Sequence, residues 1–175
     1  MGSRRSWSPK GPTSSSDSED RWQAIVRVGD ELGIRINPEL VIRLKGDKVT
    51  PDLGYVFTKR FLARNHGRFT ALFAYNDTSA IGAIRAIHEA GLQVPDDISV
   101  VGFDDIESAA YNNPAITTVR QPLQKMGELA ARALLSQIEN GETYVAEITI
   151  EPEFVVRNST APARRSGRQV GLKLA

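Results

Sequence analysis

The stretch Ile98-Ser99-Val100-Val101-Gly102-Phe103 is apolar at nearly every position and is bounded by Asp96-Asp97 on one side and Asp104-Asp105 on the other. A strand that is apolar on both faces has to be covered on both, which is the pattern of a parallel strand lying under helices. The same layout occurs upstream, where Phe69-Thr70-Ala71-Leu72-Phe73-Ala74-Tyr75 runs into Asn76-Asp77. In an open α/β sheet, residues just past the strand ends face a crevice, and ligands bind there. Two strands that end alike predict one polar ligand between them.

The rest of the chain alternates in the same way. Residues 1–16 are rich in Ser, Pro and Gly and show no period, so they read as an irregular lead-in. A first helix is expected over about 18–32, capped by Asp17 or Ser18, helped by Glu19 and Asp20 in its first turn and stopped by Gly33. Residues 40–44 form a short strand, Gly46-Asp47 a turn, and Pro51 opens a second helix carrying Leu53, Val56, Phe57, Phe61 and Leu62. After the strand 69–75, a helix over 78–90 ends at Gly91. The strand 98–103 follows, then a strand over 116–120. Pro122 then opens a long helix whose stripe Met126, Leu129, Ala130, Ala133, Leu134 and Ile138 is expected to be buried, with Asn140-Gly141 closing it. Residues 147–150 and 154–157 finish the fold as strands, and from Asn158 onward the composition reads as tail. This order predicts a doubly wound α/β fold.

Composition narrows the function classes. With 41% hydrophobic and 25% charged residues the chain is globular rather than disordered. No segment approaches the roughly 18 consecutive apolar residues that a membrane span needs. Residues 1–10 lack the apolar stretch of a signal peptide, so a cytoplasmic location is expected. There is no cysteine, which removes disulfides, thiolate nucleophiles and thiolate metal sites. The net charge of +1 is uneven: Arg4, Arg5 and Lys10 put +3 in the first ten residues, and Arg164, Arg165, Arg168 and Lys173 put +4 in the last twelve. The residues between carry −6, so no basic face for nucleic acid is expected on the folded core.

The candidate binding residues are polar groups at the strand ends. Asn offers a donor and an acceptor, and ionised Asp accepts only, a combination that matches the hydroxyls of a sugar or nucleoside. Asn76 and Asp104 are read as ligand-binding, while Asp77 is expected to cap the following helix. Arg21 is expected in the first turn of the first helix, where a cation is poorly matched to the helix dipole, so a partner in the crevice is expected. Catalysis finds little support. His66 and His88 are far apart and not spaced as metal ligands, the serines of 13–18 lack a nucleophile elbow, and Gly11 and Gly33 are isolated. An enzyme reading would use Asp104 and Asp105 as acid and base, but adjacent residues in a turn usually point apart. No cofactor or metal is called for.

The stretches 69–86, 91–106 and 117–127, among them Ala74-Tyr75-Asn76-Asp77-Thr78-Ser79-Ala80 and Val100-Val101-Gly102-Phe103-Asp104-Asp105, closely resemble the effector-binding core of LacI/GalR-family bacterial transcription regulators. The resemblance runs from about Lys10 to Thr160. It implies a periplasmic-binding-protein-like, two-lobed core holding a small effector, a sugar or a purine-type molecule, with Arg21, Asn76 and Asp104 as binding residues. Family members often stack an aromatic residue after the Gly-Asp turn, whereas here Lys48-Val49 follows Gly46-Asp47.

The resemblance also implies that the helix-turn-helix, the hinge and most of the N-terminal lobe are absent from this chain. Residues 17–160 would be mainly the C-terminal lobe, 115–139 the return segment of the other lobe, and 161–175 a basic tail. The helix 122–139 would then be loosely attached, or packed on whatever apolar surface it reaches. Operator DNA would be bound only through the absent helix-turn-helix, and the parent is expected to be a homodimer. The alternative is a periplasmic sugar-binding protein of a transporter.

Overall fold

The computed structural model describes residues 6–10, 16–34, 36–43, 50–65, 67–140 and 147–162. The expected turn at 46–47, the departure at Lys48-Val49, His66, Gly141 and nearly all of the basic tail lie outside them. In chain order the elements are β1 (Ser6–Lys10), α1 (Ser16–Glu31), a 3-10 turn (Pro38–Leu40), β2 (Val41–Arg43), α2 (Pro51–Asn65), β3 (Ala71–Phe73) and α3 (Asp77–Glu89). They continue with β4 (Ser99–Val101), α4 (Glu107–Tyr111), β5 (Thr118–Arg120), α5 (Leu123–Asn140) and β6 (Glu153–Val155).

Four strands form a parallel sheet in the order β2-β1-β3-β4. The lead-in expected to be irregular therefore contains a strand between β2 and β3. Its Ser-Trp-Ser-Pro-Lys sequence has no apolar alternation, so only the backbone pairing of both neighbours defines it. The chain runs from β1 outward to β2, then crosses back to β3 and on to β4. Right-handed crossovers in this order put α1 on one face and α2 and α3 on the other, and they place the topological switch between the carboxyl ends of β1 and β3.

The helices end and pack for local reasons. Gly33 and Gly91 take left-handed φ values of 66° and 76° just past α1 and α3, where Ile34 N–H donates to Gly29 and Leu92 N–H to Ile87, closing off the last carbonyls. Helices α2 and α3 cross at backbone contact. A Cβ at Gly54 would overlap the backbone of Ser79, and one at Gly82 would overlap that of Pro51. Beneath them lies the core of Leu62, Phe69, Leu72, Ile84, Ile87, Ile98 and Val100, with the Phe61 and Phe69 rings 5.4 Å apart. On the outer surface the Glu89 carboxylate accepts from Tyr55 Oη at 2.5 Å, Arg85 Nε at 3.0 Å and Lys59 Nζ at 3.3 Å. These contacts, the Tyr55 hydroxyl first, hold its carboxyl down at about 2.

Four expectations about the second half of the chain are corrected. Residues 116–120 are not simply a return to another lobe. Gly102 N–H donates to Thr117 O and Asp104 N–H to Val119 O, both at 2.9 Å, so β5 lies parallel along the exit of β4, with β6 antiparallel to it. Residues 147–150 are not a strand; pairing with β5 begins at Glu153. Residues from Asn158 are not tail. Ser159 is fully buried, its Oγ accepting from Thr117 N–H at 2.8 Å and donating to Val100 O at 2.6 Å, which knits β4 to β5. Finally, no described residue of α5 is buried, and Leu134 and Ile138 are 57% and 71% exposed. The stripe has helical spacing, but no described element is laid against it.

Candidate functional site

The exits of β3 and β4 are tied together, with Ala74 N–H donating to Val101 O and Asp77 N–H to Phe103 O, each at 2.8 Å. That pairing sets Tyr75-Asn76 beside Phe103-Asp104. Arg21, one and a half turns into α1, reaches the same place. Its Nη1 donates to Tyr75 O at 3.1 Å, and its guanidinium carbon lies 4.5 Å from the Tyr75 ring centroid and 4.4 Å from that of Phe103. A delocalised cation held near two ring faces is fixed in orientation while keeping its charge. The structure thus brings Arg21, Asn76 and Asp104 to one location.

The cap expected of Asp77 belongs to Asn76. Asn76 is the N-cap of α3: its backbone is extended and its Oδ1 accepts from Ser79 N–H at 2.9 Å. Asp77 is not the cap. It is fully buried, and its carboxylate accepts from Thr118 Oγ1 at 2.6 Å and from Ile106 N–H at 2.9 Å. Burial pushes its carboxyl above the ordinary value, against the pull of those two bonds. A Cβ on Gly102 would run into this carboxylate, so a glycine is needed at the turn out of β4. The cap role of Asn76 uses only its oxygen, so its amide N–H groups remain chemically suited to a ligand acceptor.

Asp104 and Asp105 do point apart. Both are non-glycine residues at positive φ, 105° and 57°, a conformation that is costly and held by its surroundings. Asp104 accepts at Oδ1 from Gln121 Nε2 at 2.7 Å. Burial pushes its carboxyl up, while the Gln121 bond and the charge of Arg21 pull it down. Asp105 turns the other way, to Arg120 Nε and Arg157 Nη2, each at 2.6 Å. Burial raises its carboxyl, but the two guanidinium groups outweigh that and leave it below the ordinary value. Asp105 is a structural ion-pair partner, and Asp104 is the carboxylate that shares the site with Arg21.

Sequence reasoning missed Tyr75, Phe103, Thr118 and Gln121. The signal for the first two was present, since each aromatic immediately precedes a polar candidate at a strand end. Gln121 lies 17 positions from Asp104 and Thr118 lies 41 from Asp77, so neither carries a local signal. His88 is exposed near the end of α3. Among the described residues there is no cluster of three or more His, Asp or Glu able to hold a metal. A cavity of about 590 Å³ lies elsewhere, lined by Trp22, Val26, Asp30, Ile36, Pro38, Val41 and Arg43, and none of the candidate residues lines it.

Comparison with known proteins places the fold. The periplasmic binding protein-like domain family matches residues 8–160. The HTH-type transcriptional repressor PurR of Serratia proteamaculans (strain 568) is 36% identical over 151 residues, covering 86% of this chain and 43% of the repressor. The chain therefore spans less than half the length of such relatives. Among solved structures, the transcriptional regulator CelR in complex with cellobiose superposes with a TM-score of 0.81 at 30% identity, over 90% of this chain and 47% of that one. The dimeric Lac repressor with an 11-residue C-terminal deletion gives a TM-score of 0.81 at 29% identity, over 93% and 57%. By sequence and by fold, this chain belongs to the periplasmic binding protein-like domain family, in the company of LacI-type repressors.

Proposed function

We propose that this chain is the effector-sensing part of a LacI-type, DNA-binding transcription regulator and that it binds a sugar or nucleoside-like molecule without turning it over. The observation that carries the reading is the grouping of Arg21, Asn76 and Asp104 at adjoining strand ends, beside the switch point of a parallel sheet. Arg21 supplies a fork of donors, Asn76 amide donors and Asp104 an acceptor, which together suit neighbouring hydroxyls. The relatives support the regulator over a transport protein, since those compared are repressors or regulators.

In the parent protein, operator DNA is bound by a helix-turn-helix outside these residues, two copies associate, and the regulator works in the cytoplasm. Residues 17–160 form mainly one lobe, and the helical part of the segment 115–139 returns to the other. Effector occupancy changes the closure of the lobes and so the affinity for DNA.

The test is calorimetric titration of the parent regulator and of this chain with cellobiose, D-ribose and adenosine. Binding of one probe is expected, weakened about tenfold or more in Asp104→Asn, because a charged hydrogen bond of about 1.5–3 kcal/mol is lost. Unchanged affinity in Asp104→Asn and in Arg21→Ala would sink the assignment of this site. Steady conversion of a probe to product would overturn the sensor reading.

A further inference from the structure

Three consecutive residues, the last two of β5 and the one just past it, hold the 104–105 corner. Val119 O accepts from Asp104 N–H at 2.9 Å, Arg120 Nε donates to the Asp105 carboxylate at 2.6 Å, and Gln121 Nε2 donates to the Asp104 carboxylate at 2.7 Å. The first fixes the backbone of a residue at φ 105°, and the second pins its neighbour at φ 57°. Only the third acts on the side chain of Asp104. An aspartate whose backbone is fixed can still rotate its carboxylate, so the group that captures one oxygen decides where the other is aimed.

The geometry points to Gln121 as a positioning residue for effector binding: it holds Oδ1 of Asp104 so that the remaining oxygen is presented in a fixed direction to a ligand hydroxyl. This rests on the reading of Asp104 as an effector-binding group. A neutral amide suits the task. It satisfies one oxygen without cancelling the charge, whereas a Lys or Arg at this position would pair with the carboxylate and compete with the ligand. The bond is half-buried, where it is less diluted by water than at the surface. Gln121 is followed by Pro122 and α5, and its own carbonyl accepts from Leu123 N–H at 2.8 Å. The residue that aims the carboxylate is thus also fixed to the start of that helix.

The test begins without ligand, by following the Asp104 carboxyl carbon of the 175-residue chain through an acid titration by NMR. In Gln121→Met, similar in size but without the donor, the Asp104 titration is expected to move to higher pH. Gln121→Asn, which keeps the amide but not the reach, is expected to move it likewise. An Asp104 midpoint unmoved in both variants overturns the proposal. Binding of cellobiose, D-ribose and adenosine is then measured. Gln121→Met is expected to weaken the tightest of them about tenfold in the wild-type background and less than about twofold in Asp104→Asn. Equal losses in both backgrounds overturn it, since Gln121 would then act independently of Asp104. If none of the probes binds wild-type protein, the sensor reading fails for those probes while the ligand-free titration still decides the role of Gln121.

Discussion

A single side chain can hold a helix and a ligand at once, and Asn76 is placed to do both. Its oxygen caps α3 through Ser79 N–H, and its nitrogen is the part that a ligand acceptor would use. Two substitutions separate the roles. Asn76→Ala loses the cap and is expected to cost about 1 kcal/mol in denaturant unfolding. Asn76→Asp keeps a capping oxygen, and adds a negative charge at a helix N-terminus, so stability should hold within about 0.5 kcal/mol. Effector affinity should nevertheless fall, because a carboxylate has no donor to offer. Equal loss of stability in both variants would remove the distinction. Sequence alone marked Asn76 as a candidate ligand group but gave the cap to Asp77, because a carboxylate and an amide cap helices about equally well and the local pattern does not rank them. What decides is the distant Thr118 hydroxyl, which draws the Asp77 carboxylate into the interior. That contact spans 41 positions and leaves no trace in the local pattern.

At the scale of elements, burial sorts the helices into two kinds. Helix α3 buries Ile84 and Ile87 under α2, whereas α5 leaves its apolar stripe in the open. Ile87→Ala should therefore cost about 3 kcal/mol, and Ile138→Lys less than about 0.5 kcal/mol, both read by urea unfolding of this chain. A large loss in Ile138→Lys would mean that α5 is packed in solution. The α2–α3 pair also carries a pH signature. Glu89 has its carboxyl held at about 2 instead of 4.5 by Tyr55, Arg85 and Lys59. A lowered folded value contributes stability above the unfolded value, and that contribution is lost as pH falls toward 2. Glu89→Gln should lower the melting temperature at pH 7, and the difference from wild type should shrink between pH 4.5 and 2. Added salt should shrink it too, because the cluster is exposed. A difference independent of pH would rule out the ion cluster as its source.

Across the whole molecule, the parallel sheet and its crevice were legible because their signals are local. An apolar run flanked by turn residues marks β4, and polar residues past β3 and β4 mark the crevice. Arg21 was legible for a different reason, as a cation at the wrong end of a helix dipole. What escaped was everything set by distant pairing. The strand Ser6–Lys10 is defined only by its neighbours β2 and β3, and Ser159 is buried only because it bonds to Val100 and Thr117. The stripe of α5 shows the converse limit, since helical spacing of Met126, Leu134 and Ile138 states which face would be buried but not what would bury it.

The open face of α5 also gives the molecule a built-in chemical reporter. Met126 is the only methionine after Met1, and it is 42% exposed on that helix. A thioether in that position takes up one oxygen from peroxide, and the sulfoxide is more polar than the side chain it replaces. Treated with dilute peroxide, this chain should gain one oxygen at Met126 rapidly, as peptide mass spectrometry would read. If the proposed second lobe lies over α5 in a longer parent protein, the gain should be slower there, and effector should alter the rate by changing how firmly that lobe is seated. Equal rates in chain and parent would mean that nothing covers the helix. A slower gain in the parent would instead make one sulfur atom a record, without any DNA present, of how the proposed lobes close over the helix.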